Sequence, residues 1–256
     1  LIYKELKKNK TNFIPVDSEH FSLWFGLLNI NKNLVDKIYL TASGGPFYKT
    51  PLKKFKNIKI NQALKHPNWK MGSKISIDSA TMINKVYEVI EAKNIFNIDY
   101  KKINILIHPK SYIHALIKYK NGLIKIVAHE TTMKIPIFNT LFYNSNQILK
   151  TKNLNVKQLN NLNLNFVDTK RYPIVKLLKI LPNNHTLFDT ILVTINDELV
   201  NLYLKKKIKF TDISKKLFKF INLKEFEVYK KKIPKKISEI INLNKYVRLK
   251  INPKSV

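Results

Sequence analysis

All five glycines of this 256-residue chain fall within residues 1–147, and from Tyr172 to the end there is none. Glycine serves left-handed turns and close backbone approach, so the two parts of the chain face different conformational limits. In the glycine-free part apolar residues recur at helical spacing. Helices are expected at Ile174–Leu181, Leu187–Leu204 and Asp212–Leu223, the last capped by Thr211 or Asp212. One or two more belong in 224–242, interrupted by Pro234, giving a C-terminal helical bundle over 172–256. Residues 148–171 are rich in Asn and Lys with alternating Leu and Val, the texture of a linker with an extended segment. Residues 1–147 mix strand-like and helical patterns. Lys37–Thr41, Ile103–Ile107 and Leu123–Ala128 read as strands. Thr81–Phe96 reads as a helix with Met82, Val86, Val89 and Ile90 on its apolar face and Asp78 or Ser79 as N-cap. The expected class is an α/β (α+β) domain followed by the bundle.

Composition bounds the function classes. Hydrophobic content of 45% with 14 Phe, 12 Tyr and 2 Trp belongs to a folded protein. The chain has no cysteine, which excludes disulfides and thiolate metal sites. Its longest apolar runs, near 21–28 and 135–143, fall short of the ~20 residues of a membrane span, and no secretory pattern opens it. The net charge of +30 points first to nucleic acid. Yet Arg171 and Arg248 are the only arginines among 47 basic residues, beside 30 Asn. Lys, Asn and Ile are what AT-rich codons supply, and Lys gives diffuse charge without bidentate contacts. Compositional drift accounts for the charge without a dedicated nucleic-acid partner, although weak salt-sensitive binding follows from it in any case.

Several short constellations could carry chemistry. Asp17-Ser18-Glu19 places two carboxylates at i, i+2; in an extended segment both leave one face and can share a hard cation. A solvated turn is the commoner source of such a pair. Ser43-Gly44-Gly45-Pro46 follows a strand, where backbone N–H groups can approach a phosphate, or it is a plain turn. Helical spacing puts Asn84, Lys85, Glu88 and Glu91 on one side of Thr81–Phe96, with Ser79 at the helix start, where the dipole favours an anion. The same pattern suits an amphipathic helix with a Lys–Glu pair in water. His66 to Gly72 (HPNWKMG) is a polar-aromatic loop whose Trp69 is either a lid or a core plug. His108 and His114 flank Ser111, at a spacing that matches no compact metal motif. No G-x-G-x-x-G occurs.

Four segments in order resemble the 1-deoxy-D-xylulose 5-phosphate reductoisomerase family: IPVDSEH (14–20), SGGPF (43–47), HPNWKMG with KISIDSATMINK and Glu88 (66–88), and IHPKSYIH (107–114). The likeness is dense over 12–137 and continues thinly through RYP (171–173) and KFTDIS (209–214). It implies an NADPH-dependent isomeroreductase that converts 1-deoxy-D-xylulose 5-phosphate to 2-C-methyl-D-erythritol 4-phosphate in non-mevalonate isoprenoid biosynthesis. Matching positions assign Asp17, Glu19 and Glu88 to Mg²⁺ or Mn²⁺, with Co²⁺ a further option. Ser43, His66, Ser79, Asn84 and Lys85 would hold the phosphate, and Ser18 and Ser111 the substrate hydroxyls. Trp69 resembles the flap aromatic. Glu19, Lys85 and His114 would carry catalysis, and Met71, Gly72 and Met133 would face the nicotinamide. The likeness further implies a homodimer, a bacterial cytoplasmic or plastid location, and no membrane partner.

Departures from the family pattern set further expectations. Val86 stands where the family has Gly, which would crowd the nicotinamide side. Thr131-Thr132 replaces Pro-Asp before Met133, and an Asn-rich family signature survives only as Asn196-Asp197. The chain is expected to be the metal- and substrate-binding domain (1–147), a linker (148–171) and the C-terminal helical domain (172–256), without the family's upstream NADPH-binding domain. An eroded, inactive remnant or a basic nucleic-acid-binding protein are the alternatives.

Overall fold

The computed structural model describes residues 2–252. In chain order the helices are α1 (Ile2–Lys8), α2 (Ser18–Leu27), α3 (Ile60–Ala63), α4 (Ser73–Thr81), α5 (Ile83–Phe96), α6 (Lys134–Leu141), α7 (Val156–Leu159), α8 (Leu187–Leu204), α9 (Phe210–Ile221) and α10 (Ile237–Ile251). The strands are β1 (Val35–Ala42), β2 (Ile103–Ile107), β3 (Ile113–Tyr119), β4 (Ile124–Ala128) and β5 (Asn165–Phe166), in sheet order β4-β3-β1-β2-β5.

β1 and β2 are parallel, with Ile38 opposite Ile103 and Ala42 opposite Ile107. A parallel pair needs a long crossover, and α4 and α5 lie within it. The other pairings, β1 with β3, β3 with β4 and β2 with β5, are antiparallel. β3 carries no strand expectation because it hides its period. Six of its seven residues are buried, including His114, so there is no inside-outside alternation to read.

α5 occupies the centre. Ile83, Val86 and Ile90 pack with Ile77 and Ala80 of α4 and with Phe188, Ile191, Ile195 and Leu199 of α8 in one core. Val89, Ala92 and Phe96, with Met82 just before the helix, pack against β1 and β2 in a second core. The Met82–Ile90 set expected on one face therefore divides between two. Val86 is fully buried in the first core and is not among the residues that line the cleft described below.

Three local expectations are corrected. Ser79 and Asp78 do not cap α5: they lie in the last turns of α4, and the break between the helices is Met82, held left-handed at φ 72°. Ile174–Leu181 is a 3₁₀ segment, Pro173–Lys179, opened by a proline that suits a first helical turn. At α9 neither Thr211 nor Asp212 is the N-cap; the helix starts at Phe210, and Asp212 Oδ2 accepts from Lys209 N at 2.9 Å. Pro234 does separate a 3₁₀ segment, Lys224–Lys230, from α10. In the linker stretch, β5 extends the sheet and α7 forms one helical turn.

Phe188 is fully buried where α8 meets α4 and α5. Phe188→Ala is expected to cost about 3–5 kcal/mol, measured by urea unfolding. The loss should appear in one transition followed by both near- and far-ultraviolet signals.

Candidate active site

Asp17 is the residue before α2, and Ser18 and Glu19 form its first turn. The Asp-Ser-Glu segment, whose carboxylates would share a face if it were extended, is a helix start, where free N–H groups and the dipole favour acidic side chains. The two carboxylates still converge, on a third residue far along the chain. Asp17, Glu19 and Glu88 each bring one carboxylate oxygen within 4.8 Å of the others.

Lys85 lies among them. Its Nζ donates to Glu19 Oε1 at 2.7 Å and also to Glu88 Oε2. Asn84 Nδ2 donates to the other Glu88 oxygen at 2.6 Å, and Ser18 Oγ donates to Glu19 Oε2 at 2.5 Å. Helical spacing explains why Asn84, Lys85 and Glu88 act together, since i, i+3 and i, i+4 residues share a face. Burial works against the charge on Glu19, but the Lys85 ammonium, with help from His114 and the Lys85 and Ser18 hydrogen bonds, outweighs it and holds Glu19 at about 2. Glu88 is pushed well above the carboxylate range by burial and by the charge of Glu19. Lys85 is raised: burial opposes its charge, and the two glutamates overcome it.

Three acids with one ammonium leave negative charge uncompensated, and the strain falls on Glu88. All-oxygen donors at this spacing are what a hard divalent cation takes. Its charge would let Glu88 ionise beside Glu19. The residues present therefore fit a Mg²⁺-type ion held by Asp17, Glu19 and Glu88.

These groups line one side of a cleft of about 330 Å³. Ser18, Ser43, His66, Trp69, Met71, Ser79, Asn84, Lys85, Ser111 and Met133 also line it. At the same cleft, His66 Nδ1 accepts from the backbone N–H groups of Trp69 (3.0 Å) and Asn68 (3.2 Å). Burial depresses its pKa to about 4. A neutral ring accepting at Nδ1 carries its proton on Nε2, so it donates to Ser43 Oγ at 3.0 Å. That hydroxyl oxygen also accepts from Gly45 N at 3.0 Å. Gly45 has φ +64°, and a Cβ there would meet the Ser79 carbonyl oxygen at 3.1 Å. This glycine lets the β1 turn approach the end of α4. Arg171 and Tyr172 strap the same turn from behind, donating to the carbonyls of Phe47, Thr50 and Gly44.

Two predicted site residues lie off the cleft wall. Gly72 caps α4 and is exposed. His114 is 1% exposed, and its ring stacks on that of His129 at 3.8 Å. Burial depresses it to about 4, against the pull of Glu19. Ser79 lines the cleft from the last turn of α4, so it offers its hydroxyl and not the N–H groups of a helix start. Thr131 donates to the Ser111 carbonyl at 3.0 Å.

Sequence reasoning missed three neighbours. Asn68 Nδ2 donates to Ser111 Oγ and to the Pro109 carbonyl, both at 2.7 Å. His129 braces His114. Buried His20 reaches Asp17 Oδ2 at 3.1 Å through Nδ1 and the Glu88 carbonyl at 2.9 Å through Nε2. A helix over 18–27 would have revealed His20, which stands at i+3 from Asp17; nothing local marks the other two.

Residues 13–96 match the family model described as the 1-deoxy-D-xylulose 5-phosphate reductoisomerase C-terminal domain, and residues 129–250 that of the DXP reductoisomerase C-terminal domain. The chain belongs to the 1-deoxy-D-xylulose 5-phosphate reductoisomerase family. The reductoisomerase of Pelagibacter ubique strain HTCC1062 is 58% identical over all of this chain, which covers 66% of that relative. That of Clostridium tetani is 39% identical, with 98% of this chain and 65% of the relative covered. A reductoisomerase solved in complex with NADPH, fosmidomycin and magnesium superposes with a TM-score of 0.90 at 30% identity, covering 99% of this chain and 66% of that one. The Zymomonas mobilis reductoisomerase in complex with NADPH gives 0.83 at 30% identity, covering 98% and 64%. The chain thus spans just under two thirds of the length of these reductoisomerases.

Burial opposes a charge on His20, but its bond to Asp17 overrides this and raises its pKa from 6.5 to about 9. The stability it contributes is complete below pH 6.5 and is lost as pH rises through about 9. Urea midpoints of the metal-free chain should fall over that window, and His20→Gln should flatten the fall.

Proposed function

We propose that this chain is the metal- and substrate-binding portion of an NADPH-dependent isomeroreductase. It would convert 1-deoxy-D-xylulose 5-phosphate to 2-C-methyl-D-erythritol 4-phosphate, with the nicotinamide cofactor held mainly by a domain outside this sequence. The observation that carries the reading is the meeting of Asp17, Glu19 and Glu88 in a cleft that Ser43, His66, Ser79 and Asn84 also line.

A divalent ion bound by the three acids would polarise the substrate's carbonyl and hydroxyl oxygens as a Lewis acid. The remaining work belongs to the chain's own residues. Lys85 and Asn84 bring an ammonium and an amide toward the phosphate, joined by the hydroxyls of Ser43 and Ser79 and by the Nε2–H of neutral His66. Ser18 and Ser111 are suited to the sugar hydroxyls, the latter oriented by Asn68. Trp69 stands at the cleft as a cover against water, with Met71, Gly72 and Met133 on the nicotinamide side. Acid–base work falls to Glu19, Lys85 and His114.

Two coarser features belong to the same reading. The division into 1–147, 148–171 and 172–256 belongs to this reading, with a sheet core and a helix core that interlock: Phe47, Ala63, α4 and α5 join the helix core, and Tyr172 joins the sheet core. A homodimer is supported by apolar side chains left open at the sheet edge: Leu123, Ile124 and Ile126 are 65%, 60% and 48% exposed. An apolar edge strand of this kind calls for a cover. No helix among the described residues is long and apolar enough to cross a membrane. The relatives named above are bacterial, which agrees with a bacterial cytoplasm.

Titrating Mn²⁺ into the chain by calorimetry, with substrate present, should give one site per chain. Glu88→Gln should weaken it by at least tenfold, about 1.4 kcal/mol. Binding that ignores Glu88 would refute the assignment. Sedimentation should show a dimer that Ile124→Lys with Ile126→Lys converts to monomer.

A further inference from the structure

Asn196-Asp197 is a sequence motif that the cleft leaves unused. Asn196, on α8, is fully buried, and its Nδ2 donates to Asp78 Oδ1 at 2.8 Å. Asp78, on α4, is buried too, and its other oxygen takes Lys74 Nζ at 2.6 Å. The same ammonium lies 3.0 Å from Asp197 Oδ1 and 5.4 Å from the ring centre of Tyr87 on α5. Arg248 of α10 closes the far side, 3.5 Å from Asp197 and paired with Glu198. A line of polar contacts thus runs from α4 through α8 to α10, beside a core that is otherwise apolar.

Such a network is a poor source of stability. Desolvating buried charges offsets most of their attraction, and apolar replacements of similar shape are often neutral or stabilising. What it does supply is direction, because a hydrogen-bonded pair has one good geometry where packed methyls have several. The element so directed is α4. It starts directly after Met71 and Gly72, and Ser79, which follows Asp78, lines the cleft from its last turn. Ile77 and Ala80 seat α4 in the core it shares with α8, and the Asp78–Asn196 bond adds a directional contact between the two helices.

We propose that Asp78, Lys74 and Asn196 are positioning residues that set how α4 sits on α8, and through it how far Ser79 and Met71 reach into the cleft. The C-terminal helices thereby act on substrate binding without touching substrate. This inference rests on the reading of the cleft as a sugar-phosphate site.

The test compares the full chain with Asp78→Leu/Asn196→Leu, Lys74→Met and Lys74→Arg. Thermal unfolding, Mn²⁺ affinity, and affinity for 1-deoxy-D-xylulose 5-phosphate at saturating Mn²⁺ are measured for each. Asp17 precedes α2, Glu19 lies in its first turn, and Glu88 is held by the packing of α5, so Mn²⁺ affinity should stay within about twofold. Sugar-phosphate affinity should fall by roughly tenfold in the double variant, as small misplacements of binding groups do. Lys74 is half exposed, so Lys74→Met keeps the test available if the double variant does not fold; it should shift affinity in the same direction, and Lys74→Arg should restore it. Folded variants that bind the sugar phosphate as the parent does overturn the inference, as does a parallel loss of metal and sugar phosphate. A parent chain that binds Mn²⁺ but no sugar phosphate refutes the cleft reading, and this inference with it.

Discussion

The cleft depends on α5 being buried on more than one side. Ile83, Val86 and Ile90 face the C-terminal helices, while Val89, Ala92 and Phe96 face the sheet. Only what remains of its circumference is available for Asn84, Lys85 and Glu88. A helix clamped in this way cannot rotate without opening one of the two cores, and close-packed interiors resist such changes. That rigidity holds Glu88 against Glu19 and Asp17 at a spacing an ion can bridge.

The electrostatics follow from the same burial. Lys85 and Glu88 are each about 5% exposed, where an uncompensated charge is expensive. Lys85 is shared between Glu19 and Glu88, His20 serves Asp17, and Glu88 is left short of positive charge. A site that compensates most but not all of its charge is poised for a cation. His66, which lines the cleft, and His114, buried behind it, are by contrast kept neutral by burial. Burial thus leaves a neutral imidazole and a charge-deficient acid cluster lining the same cleft.

Much of this was legible in the sequence where a local period survives. The 18 residues of α8 match expectation at both ends because no glycine or proline interrupts an apolar stripe that faces one core. β2 matches for a similar reason, as a short apolar run bounded by polar turns. β3 was not legible, since burial on both faces erases alternation. The start of α5 was misplaced because an apolar methionine takes the left-handed break that a glycine would have announced. Candidate cleft residues could be named from motif resemblance, but the helix start at Ser18 and the true place of Ser79 could not.

Taken alone, the amino-acid sequence settled the class of fold, the family, and which residue types were available as ligands, because these reside in composition, period and ordered motifs. Tertiary structure decided which of them meet. Asp17 and Glu88 are 71 positions apart, and no local rule states that α2 and α5 bring their carboxylates within 4.8 Å. The link from Asn196 to Asp78, across 118 positions, is likewise a product of packing. Side-chain chemistry is local, but convergence is set by how whole elements exclude water together.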